Sequence, residues 1–141
     1  MKTSRFPWLY LLLGFAQAAH SIEEVLAGLY RNMDRITRMM HLQFSLIPRV
    51  SMSGTVFAAV NLVIVATLLG ISPFVYLKRT WAIRTARVIA VIETINGIVH
   101  ITAALITGGY FPGCITGIVL IALSIPLWAV PSIRRFPSGA D

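Results

Sequence analysis

Four long apolar segments constrain this chain more than any other feature of its sequence. They cover residues 6–30, 54–77, 86–107 and 114–130. As a helix, a run of about 20 apolar residues is long enough to cross a hydrocarbon core of about 30 Å. Lipid satisfies no backbone polar group, so such segments must be helical. The sequence therefore predicts an all-α, polytopic membrane protein, with residues 1–141 forming a single domain that is a bundle of four transmembrane helices.

The composition agrees with this class. Hydrophobic residues make up 57% of the chain and charged residues only 12%, which separates it from ordinary soluble domains. The net charge of +7 is compatible with nucleic-acid binding, but the basic residues lie in short clusters between apolar segments, where membrane topology explains them. We therefore expect membrane lipid as a partner and no nucleic acid.

The first apolar segment has some features of a signal peptide. Lys2 and Arg5 precede it, and Ala16-Gln17-Ala18 resembles a small-residue cleavage site. The apolar character resumes from Val25 to Tyr30, which gives a total length that spans a bilayer. We therefore interpret this segment as an uncleaved first span.

The connections between the segments differ in character. Residues 31–53 mix arginines with apolar residues at near-helical spacing, which predicts an amphipathic helix in the membrane interface between the first and second spans. Ser51 or Ser53 is a suitable cap for the second span. Residues 78–84 form a short basic loop, and the glycines and proline of residues 108–113 predict a tight turn.

The distribution of basic residues predicts the orientation. The first connection holds four of the twelve and the third holds none. The N-terminus, second connection and C-terminus hold the others, namely Lys2, Arg5, Lys78, Arg79, Arg84, Arg87, Arg134 and Arg135. The positive-inside rule then places both termini in the cytoplasm and the 108–113 turn on the outer side.

Three of the five acidic residues, Glu23, Glu24 and Glu93, lie within the apolar segments. A charged side chain near the bilayer centre costs about 2.5–3.5 kcal/mol, so three unpaired carboxylates would cost roughly 7–10 kcal/mol. Neither the interior of the first segment nor that of the third contains a Lys or Arg. Other polar groups or a bound cation must therefore neutralise these carboxylates.

The polar residues of the first segment fall on one helix face. Each residue of a helix advances by about 100°, so Glu23 and Glu24 lie within about 60° of His20, one on either side. Gln17 belongs to the same stripe. All four side chains can therefore face one partner helix.

The third segment carries a matching stripe. Asn96 and His100 lie three and seven residues after Glu93, again on one face. The first and third spans run in the same direction, and their stripes lie at similar depths. We expect the two stripes to meet in the core of the bundle, near the outer turn.

Imidazole nitrogens and carboxylate oxygens that converge in a helix bundle are ligands for divalent metals. The candidate ligands are His20, Glu23, Glu24, Glu93 and His100, and a bound iron or zinc site of one or two ions would supply the missing positive charge. The three glutamates are also the candidate catalytic residues, since the same groups can relay protons without metal. A purely structural hydrogen-bond network is the third interpretation.

Three amide side chains and one further histidine are weaker candidates for the site. Gln17 and Asn96 are candidates for orienting a ligand or a substrate, as is Asn61, for which hydrogen bonding between helices is the more common role. His41 lies in the basic connector, where we expect a surface position.

Three motifs stand in order along the chain: His20-x-x-Glu23-Glu24, Asn96-x-x-x-His100 and Tyr110-x-Pro112-Gly113-x-x-Thr116. Their combination resembles the family of small bacterial membrane proteins that is named for its HXXEE motif, from the first span to the start of the fourth. The resemblance implies an inner-membrane protein and a site that also includes the four residues of the third motif, but it implies no reaction. In this interpretation the turn closes the bundle from outside, and the Tyr110 and Thr116 hydroxyls can point to the polar cluster. Thr116 can equally be a cap of the fourth helix.

The sequence favours a membrane-embedded, metal-dependent enzyme that acts on a hydrophobic small molecule. A di-iron site would suit an oxidoreductase and a zinc site a hydrolase, and the absence of soft ligands typical of electron transfer favours the di-metal, iron-dependent oxidoreductase. A metal-free acid–base isomerase or cyclase of an isoprenoid-like substrate and a small proton-coupled transporter are the alternatives. An accessory subunit of a larger complex and a homodimer are also compatible with the sequence.

Overall fold

A computed structural model describes residues 5–129, and its regular elements are all helical. The five α-helices are α1 (Phe6–Leu26), α2 (Met33–Gln43), α3 (Gly54–Tyr76), α4 (Thr80–Thr107) and α5 (Cys114–Ala129). A short 3-10 helix, Leu29–Asn32, joins α1 to α2. Residues 5–129 contain no strand. The all-α prediction is therefore confirmed, while Lys2, Arg134 and Arg135 of the topology argument lie outside the described residues.

Two of these helices, α3 and α4, are long and apolar enough to cross a membrane. The polar cluster near the end of α1 lowers its mean hydropathy, and α5 is a shorter apolar helix of 16 residues. By length and composition, the described residues therefore provide two membrane-spanning candidates where the sequence predicted four.

Two helix boundaries differ from the sequence-based segments. The first helix ends at Leu26 and not at Tyr30, because Gly28 takes a left-handed conformation with φ of +73° that stops the helix. The helix of the third segment begins at Thr80, six residues before the apolar segment itself begins. Arginine is a good helix former, so the basic loop continues as the first turns of α4.

The connector folds into α2 and a returning segment. The Thr37 hydroxyl accepts from the Val50 backbone N–H at 2.9 Å, and Asp34 pairs with Arg49 at 3.1 Å. The predicted helix is present and exposes large apolar side chains, among them Met39 and Leu42. Ser53 caps α3 by accepting from the Val56 N–H at 3.3 Å, which selects it over Ser51.

The four longer apolar helices form a bundle in which α1 contacts α3 and α5, and α4 contacts the same two helices. Its buried apolar core consists of Tyr10, Leu13, Ala16, Val75, Ala82, Ala86, Ala90, Leu120 and Leu127. α4 and α5 approach closely at Gly97, where a Cβ atom would lie 2.5 Å from the carbonyl oxygen of Gly117. This packing brings the polar stripes of α1 and α4 into the same interior.

Candidate metal centre

A buried His–Glu–His cluster lies where α1 and α4 face each other. Glu24 Oε1 is 3.1 Å from His100 Nε2 and 3.4 Å from His20 Nε2. The two imidazole rings are 4.8 Å apart between centroids and nearly perpendicular, at 89°. The exposed fractions of these residues are 0% for His20, 7% for Glu24 and 5% for His100. One carboxylate oxygen is therefore shared by two imidazoles in a site closed to solvent.

Hydrogen bonds on the far side of each ring fix which nitrogen carries a proton. His100 Nδ1 lies 2.5 Å from the carbonyl oxygen of Pro112, which can only accept, so this Nδ1 is protonated. The Thr116 hydroxyl donates to Glu23 Oε2 at 2.6 Å and must therefore accept from His20 Nδ1, which is 2.8 Å away. In the neutral tautomers both Nε2 lone pairs then point to Glu24.

A positive charge is favoured between His100 Nε2 and Glu24 Oε1, because a lone pair and a carboxylate oxygen would otherwise repel each other at 3.1 Å, whereas the His20 Nε2 lone pair also faces the Asn96 amide nitrogen at 3.3 Å. Either a proton or a metal ion can supply that charge. Ligand atoms about 2.1 Å from one ion lie about 3.0 Å apart at right angles and about 3.4 Å apart at tetrahedral angles. The distances from Glu24 Oε1 to the two imidazoles fall in this range. The ligand atoms of His20, Glu24 and His100 all lie within 4.8 Å of one another, so these three residues could hold a metal ion.

Glu23 has a different role from its neighbour Glu24. Its carboxylate accepts from the backbone N–H groups of Gly113, Ile115 and Thr116, at 3.0–3.4 Å, and from the Thr116 hydroxyl. These N–H groups belong to the start of α5, so Glu23 caps that helix from α1 and meets its positive dipole. It is outside the His–Glu–His cluster and acts on it by holding the hydroxyl that orients His20.

The 108–113 turn covers the cluster, as the sequence suggested. Tyr110 donates to Glu23 Oε1 at 3.0 Å. Loss of water contact and this hydrogen bond raise the pKa of Tyr110 to about 12. Gly113 has φ of +87°, and a Cβ atom there would lie 2.6 Å from His100 Nδ1 and 2.7 Å from His20 Cε1. Its backbone therefore packs directly on both imidazoles.

Glu93 lies beside the cluster and connects to it through Asn96. The Asn96 amide nitrogen is 3.4 Å from Glu93 Oε2 and 3.3 Å from His20 Nε2. Glu93 is buried, with an exposed fraction of 4%. A second carboxylate is thus held one amide away from the shared cluster.

Gln17 and Asn61 meet at a different place, between α1 and α3. Ser21 donates to Asn61 Oδ1 at 2.7 Å and accepts from Gln17 at 3.4 Å. Asn61 therefore forms hydrogen bonds between helices, which is the more common of the two roles considered for it in the sequence. His41 lies in the connector, where its Nδ1 is 2.7 Å from the Ile47 carbonyl oxygen.

Sequence reasoning missed two participants. Ser21 is the centre of the α1–α3 network, and its spacing of four residues from Gln17 could have indicated it. The ring of Phe111 lies 5.8 Å from that of His100, tilted by 52°. Phe111 lies inside the Tyr110–Thr116 motif, and this position could have indicated its contact with the cluster.

Comparison with known proteins identifies the family of this chain. A family described as "Protein of unknown function with HXXEE motif" matches residues 11–128. No curated protein and no solved structure matches the chain significantly. The match covers most of α1 and all of α5 except its last residue, and it includes the positions of all three motifs and of the His–Glu–His cluster. The chain therefore belongs to this HXXEE family.

Proposed function

We propose that this protein is a membrane-embedded, metal-dependent enzyme that acts on a lipid-soluble substrate. The observation that carries the proposal is the convergence of His20, Glu24 and His100 in a buried site, with both Nε2 atoms within 3.4 Å of Glu24 Oε1. The outward hydrogen bonds of both imidazoles add support, since metal-ligating histidines donate their other N–H to an oxygen acceptor in this way.

The membrane setting rests on α3 and α4 and on the apolar outer surface of the bundle. Val63 of α3 and Leu105 and Ile106 of α4, for example, are 65–81% exposed. A surface of this kind is suited to lipid and not to water. In our proposal α1 and α5 complete a bundle of four spans with both termini in the cytoplasm, and hydrophobic molecules reach the protein through the bilayer.

Two histidines and one carboxylate are the ligand set of non-haem iron oxygenases and of several zinc hydrolases. A bound ion would supply Lewis acidity or, as iron, oxidative chemistry, and we favour an iron-dependent oxidoreductase acting with one ion. His20, Glu24 and His100 would hold the ion. Glu93 would exchange protons with the substrate, and Asn96 would hold that carboxylate beside the ligands.

A second candidate function is acid–base catalysis without metal. The distances from Glu24 to the imidazoles also suit hydrogen bonds, so a proton can take the place of the ion. The cluster and Glu93 would then isomerise or cyclise an isoprenoid-like substrate, or carry protons in a small transporter.

Metal analysis separates these candidates. The purified protein in lipid nanodiscs would be titrated with Fe²⁺, Zn²⁺ and Mn²⁺, and bound metal would be measured after gel filtration. We expect about one equivalent in the wild type, loss of binding in His100→Ala, and full binding in His41→Ala, whose imidazole is outside the cluster. A wild type that binds none of the three ions would overturn the metalloenzyme proposal and favour acid–base chemistry.

A further inference from the structure

Three buried oxygen atoms in the bundle lack a hydrogen-bond partner among the described residues. They are Tyr10 Oη, Gln17 Oε1 and Ser124 Oγ. The exposed fractions of these residues are only 1%, 3% and 0%. Leaving a polar group buried and unpaired costs about 1–3 kcal/mol, so native proteins usually satisfy such groups with ordered water.

Along the helix axes, the three oxygens and Glu93 lie on the same side of the His–Glu–His cluster. Tyr10 and Gln17 lie on α1, ten and three residues before His20, and Glu93 lies seven residues before His100 on α4. Ser124 lies on α5, which runs in the opposite direction, eight residues after Thr116. At about 1.5 Å per residue, all four lie about 5–15 Å from the cluster, on the side away from the turn.

The surroundings of Glu93 suit water. Its carboxylate accepts one hydrogen bond from Asn96, and it interacts electrostatically with the Tyr10 hydroxyl. The neighbouring positions on the same face of α4 are Ala86 and Ala90, whose side chains are small. A water molecule needs two to four polar partners, and a carboxylate, two hydroxyls and an amide oxygen provide them.

We propose that these four side chains bind a column of water molecules that leads from the N-terminal half of α1 to Glu93. The column gives Glu93 access to protons from the side of the bundle opposite the turn. Asn96 then brings that carboxylate next to His20. The use of these protons in a reaction rests on the proposed function, whereas the presence of the water does not.

X-ray radiolytic labelling with mass spectrometry tests the column, because hydroxyl radicals formed from bound water oxidise the side chains beside it. The protein would be irradiated in nanodiscs without metal, and each rate would be divided by that of the denatured chain. We expect Tyr10 to be oxidised at a rate near that of Tyr76, which is 64% exposed, although Tyr10 itself is 1% exposed. A Tyr10 rate as low as that of the buried Phe57 would overturn the proposal.

Variants identify what holds the water. Ser124→Ala removes one hydroxyl with little change of volume, and Glu93→Leu replaces the carboxylate with an apolar group. Each should lower the Tyr10 rate several-fold, with the Tyr76 rate unchanged as evidence that the fold is intact. Tyr10 oxidation that is equal in wild type and Ser124→Ala would refute this assignment of the water ligands. Because the experiment contains no metal, its result is independent of whether the cluster binds an ion.

Discussion

Substitution of Gly113 by alanine tests whether the turn positions the two imidazoles. The residue has φ of +87°, a left-handed conformation that costs an alanine about 1–2 kcal/mol. The added Cβ would also lie 2.6 Å and 2.7 Å from the two rings, which is closer than any normal contact. Overpacking of this kind costs about 1–3 kcal/mol, so we expect a total destabilisation of about 2–5 kcal/mol.

Two other glycines of the same turn region provide matched controls. Gly108→Ala imposes the left-handed strain alone, since φ is +69° and nothing lies within 4 Å of the new atom. We expect it to cost about 1–2 kcal/mol. Gly109→Ala has neither strain nor a close contact and should be nearly neutral. The difference between Gly113→Ala and Gly108→Ala therefore measures the contact with the imidazoles.

The assay is reversible unfolding in mixed detergent micelles, together with a titration of each variant with Zn²⁺. Displacement of both rings in Gly113→Ala should weaken Zn²⁺ binding about 10–100-fold, as is usual when the groups that orient metal ligands are disturbed. Gly108→Ala should bind Zn²⁺ like the wild type. Equal stability and equal Zn²⁺ affinity in these two variants would refute the argument that Gly113 packs on the cluster.

Three further results are expected. Lys78→Gly should stabilise the protein by about 1 kcal/mol in the same unfolding assay, because Lys78 has φ of +56° at the end of α3. Asn61→Leu should cost about 1–3 kcal/mol by leaving the buried Ser21 O–H without an acceptor, with Zn²⁺ binding unchanged. Ultraviolet titration against Tyr110→Phe should show Tyr110 ionising near pH 12, because its contact with Glu23 raises the pKa. Since the pKa of Tyr110 is higher in the folded chain, stabilisation by this contact should be complete below pH 10 and lost as the pH rises through 12.

The sequence was sufficient to predict the helices and the meeting of the α1 and α4 stripes. Apolar length determines the first, and a spacing of three, four or seven residues determines the second. The sequence could not distinguish the role of Glu23 from that of Glu24, because both lie within about 60° of His20 on the same helix face. Only the packing of α1 against α5 decides that Glu23 caps a helix and Glu24 joins the cluster.

Gln17 and the start of α4 show the same limit. Gln17 shares the His20 stripe, but its amide nitrogen turns to Ser21, which lies toward α3. A stripe about 100° wide faces two neighbouring helices, and helical spacing does not say which one a given side chain contacts. The start of α4 at Thr80 was not predicted, because hydropathy identifies the apolar part of a helix and not the residue at which its backbone hydrogen bonds begin.

The most direct test of the central claim is X-ray absorption spectroscopy of the Zn²⁺-loaded protein in nanodiscs. We predict two imidazole nitrogens and at least one carboxylate oxygen at about 2.0–2.2 Å from the ion, with one imidazole fewer in His20→Ala and no change in His41→Ala. A spectrum without imidazole scattering, or one that is unchanged in His20→Ala, would show that His20, Glu24 and His100 do not form a metal centre.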